Sequence, residues 1–128
     1  MRTEFPPAVP EIPVANIDRA LEYYRSCLGF QHDWGGEEGG IAGISNGNCR
    51  LFLANPSFRE TYGNAGPVLV WLNFSSKDEV RQCCELWTEA KATIVSSVEE
   101  KPWKLIEFTV ADPDGNLFRV FYDFSRDR

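Results

Sequence analysis

Histidine occurs once, at His32, and methionine once, so the chain has few of the donors from which transition-metal and imidazole-based catalytic centres are built. Its four cysteines, Cys27, Cys49, Cys83 and Cys84, show no Cys-x-x-Cys spacing and two are adjacent. That pattern suits neither a zinc knuckle nor a disulfide framework, and reduced packing thiols are the expectation. Basic charge is scarce too. Thirteen Lys and Arg against 19 Asp and Glu leave a net charge of −6, which disfavours a nucleic-acid backbone as partner and would suit a cationic ligand. No stretch approaches the ~20 apolar residues of a membrane helix. Met1 to Pro10 holds a single basic residue and no apolar run long enough for a secretory leader, so no membrane partner and a cytoplasmic location are expected.

What is present suffices for one domain, residues 1–128, with 43% hydrophobic content. Ile17, Ala20, Leu21, Tyr24 and Leu28 share one helical face, and the spacing predicts a helix over Ile17–Leu28, with Asn16 as N-cap and Gly29 as its stop. Val80, Cys83, Cys84 and Trp87 form the stripe of a second helix over Lys77–Lys91, opened by a capping box at Ser76 and Glu79. Short strands are predicted at Ala8–Val14, Gln31–Trp34, Ile41–Ser45, Arg50–Ala54, Val68–Phe74, Thr93–Val98, Leu105–Val110 and Leu117–Phe124. Asn46-Gly47-Asn48 and Asp112-Pro113-Asp114-Gly115-Asn116 read as hairpin turns.

The order is strand, helix, three strands, twice over, which divides the chain into halves 5–55 and 66–125 with a connector at 56–65. Phe58 and Tyr62 suggest that the connector packs. The helix starts Asn16 and Ser76 are 60 residues apart and the last turns 68 apart, so the second half carries about eight extra residues, expected around Ser97–Lys104 and including Pro102-Trp103.

Ala8-Val9-Pro10, the run Asn16-Ile17-Asp18-Arg19-Ala20-Leu21-Glu22-Tyr23-Tyr24, Leu28-Gly29-Phe30 and the Asp112–Asn116 turn, in this order and spacing, resemble the glyoxalase, bleomycin-resistance protein and extradiol dioxygenase superfamily. Glu100-Lys101-Pro102-Trp103, Glu107-Phe108, Trp71 and Asp33-Trp34 with Glu37-Glu38 are most similar to its bleomycin-resistance proteins. The resemblance implies an α+β fold, two βαβββ modules forming a curved mixed sheet, and a homodimer with clefts built from both chains.

Metal-dependent members place His, Gln or Glu on the first and last strands of each half. Those places fall on Val9, Leu69, Arg119 and one of Leu51, Phe52 and Leu53, none of which donates to a cation. No metal, no cofactor and no catalytic residue are therefore assigned, and His32 is expected to be a surface or packing residue. The resemblance implies that Leu69, Trp71 and Asn73, alternating along one strand, face the concave side. The candidate ligand-binding residues are Asp33, Trp34, Phe52, Trp71, Trp103, Glu107, Arg119 and Phe121, with Trp87 assigned to the core. Arg119 and Glu107 should point the same way, either as an ion pair or with Arg119 free for a ligand carboxylate or phosphate. Asp33, Glu37 and Glu38 either steer a cation or form a solvated acidic loop. The expected function is sequestration of an aromatic, cationic, antibiotic-type ligand in the clefts of a homodimer. The alternatives are a lyase, isomerase or dioxygenase of the same fold with atypical ligands, and a protein that binds a macromolecule through an apolar patch.

Overall fold

Asn16 opens the first helix as its sequence position dictates, its side chain accepting from Arg19 N at 2.9 Å, and Ser76 does the same for Glu79 N at 3.1 Å at the start of the third. These caps set two equivalent units in a computed structural model that describes residues 4–63 and 66–127. The first unit is β1 (Glu11–Pro13), α1 (Ile17–Ser26), β2 (Gln31–Gly36), β3 (Ile41–Asn46) and β4 (Cys49–Ala54). A short helix, α2 (Pro56–Arg59), and one 3-10 turn at Glu60–Tyr62 follow. The second unit is β5 (Leu69–Asn73), α3 (Lys77–Glu89), β6 (Thr93–Glu100), β7 (Leu105–Ala111) and β8 (Leu117–Asp123). The strands form two four-stranded mixed sheets of matching order, β1-β4-β3-β2 and β5-β8-β7-β6, each with its first strand parallel to its last and the other pairs antiparallel. This is the expected pair of βαβββ modules.

Several boundaries differ from expectation for local reasons. The opening strand is three residues rather than seven: it ends on Pro13, although Phe52 N donating to Pro10 O and Val14 N donating to Ala54 O continue its contact with β4 by one residue on each side. The first helix ends at Ser26 and the chain turns through Gly29 at φ +78°, a conformation that glycine adopts without strain. The third stops at Glu89, before Lys91 at φ +71°. The extra residues of the second half lengthen β6 to Glu100, with register shifts between Ile94 and Ser96 and between Ser96 and Glu99, and end in a turn closed by Lys104 N donating to Lys101 O. The connector is partly helical and its Arg59 bonds Glu11, as packing requires, but Tyr62 is 77% exposed.

Alternation buries one face of each sheet. Ile12, Ala42, Ile44, Leu51 and Leu53 from the first sheet and Ile106, Phe108, Val110, Phe118 and Val120 from the second join the helix stripes, Trp87 included, in a single core. Fully burying side chains of this size contributes roughly 1.5–3 kcal/mol each. Polar bonds tie the halves together. Tyr24 Oη donates to Asp112 Oδ2 at 2.7 Å, Asn116 Nδ2 donates to the same oxygen and to Pro13 O, and Trp87 Nε1 donates to Leu28 O at 3.1 Å. Burial first, then the Asp112 carboxylate, holds the Tyr24 hydroxyl well above the usual tyrosine range.

Candidate ligand site

The residues that alternate away from the core lie on the open face of each sheet. In the first half the register aligns Glu11, Phe52, Gly43 and Trp34 in one row across four strands. Trp34 reaches this row through a bulge. His32 pairs with Ile44 of the core face, yet Trp34 pairs with Gly43 of the open face because Asp33 is the extra residue between them. Gly43 is required here, since a Cβ at this position would collide with the Trp34 indole. Trp34 meets Phe52 edge to face at 5.3 Å between centroids, and the Arg50 guanidinium stands 5.7 Å from the Phe52 ring. Glu11 accepts from Arg59 Nη1 at 2.6 Å.

In the second half one row runs Trp71, Arg119, Thr109, Ser96 and the next runs Phe121, Glu107, Glu99. Trp71 meets Phe121 edge to face, also at 5.3 Å, and the Arg119 guanidinium lies 5.0 Å from the Trp71 ring. Trp34 and Trp71 are each 43% exposed. Each half thus presents one half-exposed aromatic pair with an arginine on it, a surface suited to flat apolar groups.

The remaining expected site residues distribute unevenly. Glu107 is on the open face, diagonal to Arg119, but the two form no salt bridge, because the guanidinium lies over Trp71 instead. Glu107 Oε2 is sealed from solvent and has no hydrogen-bond partner. Trp103 sits in the β6–β7 turn, 62% exposed, with Lys101 Nζ 5.8 Å from its ring, and belongs to neither aromatic pair. Asp33 is exposed at the bulge and accepts from Gln31 Nε2. Glu37 is not part of a solvated acidic loop: its Oε1 accepts from Ile17 N at 2.8 Å, a cap for the first helix supplied from 20 residues away. His32 is exposed on the edge strand and bonds Gly35 O.

Sequence reasoning passed over Arg50 and Gly43. An isolated glycine inside a strand pattern signals a close approach and could have flagged Gly43. It also gave no sign of a groove of about 980 Å³ where the halves meet, lined by Leu28, Phe30, Cys49, Leu72, Phe74 and Trp87 among others and reaching Trp71. Burial, and then neighbouring Cys84, pushes the Cys83 thiol there up to about 12, which leaves it a protonated packing group.

Two βαβββ units with aromatic open faces define a small duplicated α+β protein. The chain belongs to the Glyoxalase/Bleomycin resistance protein/Dioxygenase superfamily, whose family model matches residues 7–120. Solved structures of this fold include the bleomycin-binding protein of Streptomyces verticillus complexed with copper(II)-bleomycin, 23% identical with TM-score 0.70 over 93% of this chain and 97% of that one. TioX from Micromonospora sp. ML1 is 22% identical with TM-score 0.71, over 92% and 99%. Lactoylglutathione lyase from Agrobacterium tumefaciens is 19% identical with TM-score 0.73, over 98% and 100%. No curated protein matches the chain.

A metal of the kind used by catalytic relatives does not fit these residues. Phe52 faces Glu11 across the first sheet as Arg119 faces Trp71 across the second, whereas Leu51 and Leu53 are in the core, so the fourth position is Phe52. Val9, Phe52, Leu69 and Arg119 supply no oxygen or neutral nitrogen donor, and a guanidinium repels a cation. Among the described residues no group of three His, Cys, Asp or Glu could hold a metal ion.

Proposed function

We propose that the protein binds and sequesters an aromatic, cationic small molecule of the antibiotic type, without making or breaking a bond. One observation carries this reading. Where donor atoms would have to stand, each open face instead offers an aromatic pair, Trp34–Phe52 or Trp71–Phe121, which carries the aromatic part of the reading, while the cationic part rests on the acidic surface and not on the arginine at each pair's edge. Stacked or edge-to-face ring contacts contribute about 0.5–1.5 kcal/mol each beyond area burial, enough for specific affinity when several act together. The net charge of −6 favours a cation in bulk.

The binding unit in this reading is a homodimer. Trp34, Leu69, Trp71 and Trp103 are all more than 40% exposed, and a second copy that brought its first-half face against the second-half face of the other would close two equivalent clefts. Its setting is the cytoplasm, where four free thiols stay reduced. A metal-dependent lyase, isomerase or dioxygenase would need donors that Val9, Phe52, Leu69 and Arg119 do not have.

Tryptophan emission titrated with metal-free bleomycin and a panel of aromatic cations tests the proposal. Saturable quenching at micromolar ligand by a 29-kDa-class dimer, roughly twice the chain mass by light scattering, is the expected result. A strictly monomeric protein whose emission no aromatic compound changes would overturn it.

A further inference from the structure

We infer that the second-half face is a zwitterion site: Glu107 takes a cationic nitrogen, and Arg119 takes a carboxylate-type oxygen, of one ligand whose ring lies against Trp71 and Phe121. This rests on the aromatic-binding reading above and specifies the headgroup that accompanies the ring.

The two charges are neighbours that decline to pair. Glu107 stands opposite Phe121 and Arg119 opposite Thr109, diagonal positions on one face of adjacent strands, about 7–8 Å apart in such sheets and within reach of two long side chains. They form no salt bridge. The Arg119 guanidinium stands 5.0 Å from the Trp71 ring centroid and makes no salt bridge, which leaves N–H donors for a planar anion. Glu107 keeps one carboxylate oxygen out of water without any donor. Such an atom is costly to bury unmet, so the Glu107 carboxylate is under-solvated and its other, reachable oxygen, which no protein donor bonds, is where a cationic nitrogen would relieve that cost. Glu99, directly opposite Glu107, adds a second carboxylate, and its charge is engaged by Lys101 at 3.2 Å. An anion is therefore excluded from the Glu107 end and a cation from the Arg119 end, which fixes the orientation of a ligand that carries both.

The first half shows what a closed pair looks like in the same fold. There Glu11, which occupies the register place of Trp71, bonds Arg59 at 2.6 Å, and that acid needs nothing from outside. The second face differs in its acid: Glu107 has an oxygen with no partner, whereas Glu11 of the first is bonded to Arg59.

Four probes share one phenylethyl skeleton and differ in the polar group it carries, a hydroxyl, an ammonium, a carboxylate or both charges: 2-phenylethanol, 2-phenylethylamine, 3-phenylpropionate and phenylalanine. Calorimetric titration of the wild-type protein should rank phenylalanine first, the two singly charged compounds next and the alcohol last, with each charge improving affinity about tenfold. Glu107→Gln, a near-isosteric change, should erase the advantage of the amine over the alcohol and leave that of the propionate. Arg119→Gln should do the reverse. Equal affinities for all four compounds, or an amine preference that survives Glu107→Gln, would overturn the headgroup assignment while leaving ring binding intact. Absence of binding by all four would overturn ring binding, and this inference with it.

Discussion

The two halves share a chain path, a strand order and an edge-to-face aromatic pair at the same 5.3 Å spacing, yet they close their open faces differently. In the first, Gly43 lets Trp34 lie flat on the sheet and Glu11 is bonded to Arg59. In the second, Thr109 occupies the Gly43 position, Trp71 stands against Phe121 and Arg119, and Glu107 is left without a partner for one oxygen. The core faces are alike because burial tolerates little else. The open faces diverge because folding does not constrain them, and that freedom is where a duplicated fold acquires a binding function.

The sharpest way to break the equivalence is at the hairpin ends. Asp112 accepts from Tyr24, Asn116 Nδ2 and the backbone N–H groups of Asp114 and Asn116, whereas the first-half turn at Gly47-Asn48 is two exposed residues. Asp112→Ala should cost about 3 kcal/mol or more in a denaturant melt, since it strands several buried donors, and Asn48→Ala should change stability by less than about 0.5 kcal/mol. Next in size is the glycine. Gly43→Ala should displace the Trp34 indole, cost about 1–3 kcal/mol and red-shift the emission, while Thr109→Val at the equivalent place leaves Trp71 where it is.

Tyr24 gives the comparison a pH axis. Its hydroxyl stays protonated in the folded protein above the range in which a free tyrosine ionises, so above about pH 10 the unfolded chain binds fewer protons than the folded one. Stability should therefore be complete below pH 10 and fall by up to about 1.4 kcal/mol per pH unit as pH rises toward the folded value. Tyr24→Phe should flatten that slope in alkaline melts, whereas Tyr122→Phe, half-buried at the end of β8, should leave most of it. The smallest effects sharpen the likeness instead. Asn16→Ala and Ser76→Ala remove equivalent caps, and each should lower the melting midpoint by an amount equal to about 1 kcal/mol.

What the sequence made legible was local. Asn16 and Ser76 act on amides three residues away, and the Asp112–Asn116 turn closes on itself, so spacing alone found them. The repeat of strand and helix placed Trp71, Arg119 and Phe121 on one face because β5 and β8 have no bulge. Three features needed coordinates. The bulge at Asp33 moves Trp34 to the face of Phe52 and away from the core row that simple alternation from His32 assigns it. Glu37 caps a helix from a distant loop and leaves no periodic trace. Arg119 chooses the Trp71 ring over the Glu107 carboxylate, a competition between two neighbours that no spacing rule decides.

Calorimetry with metal-free bleomycin on chelator-treated protein, repeated after addition of Zn, Mn, Ni or Fe and with the Trp34→Ala/Trp71→Ala double variant, tests the central claim most directly. The account predicts that binding is unchanged by chelator or metal and weakens at least about tenfold in the double variant. Binding that needs an added metal ion, or that survives loss of both indoles undiminished, would contradict it.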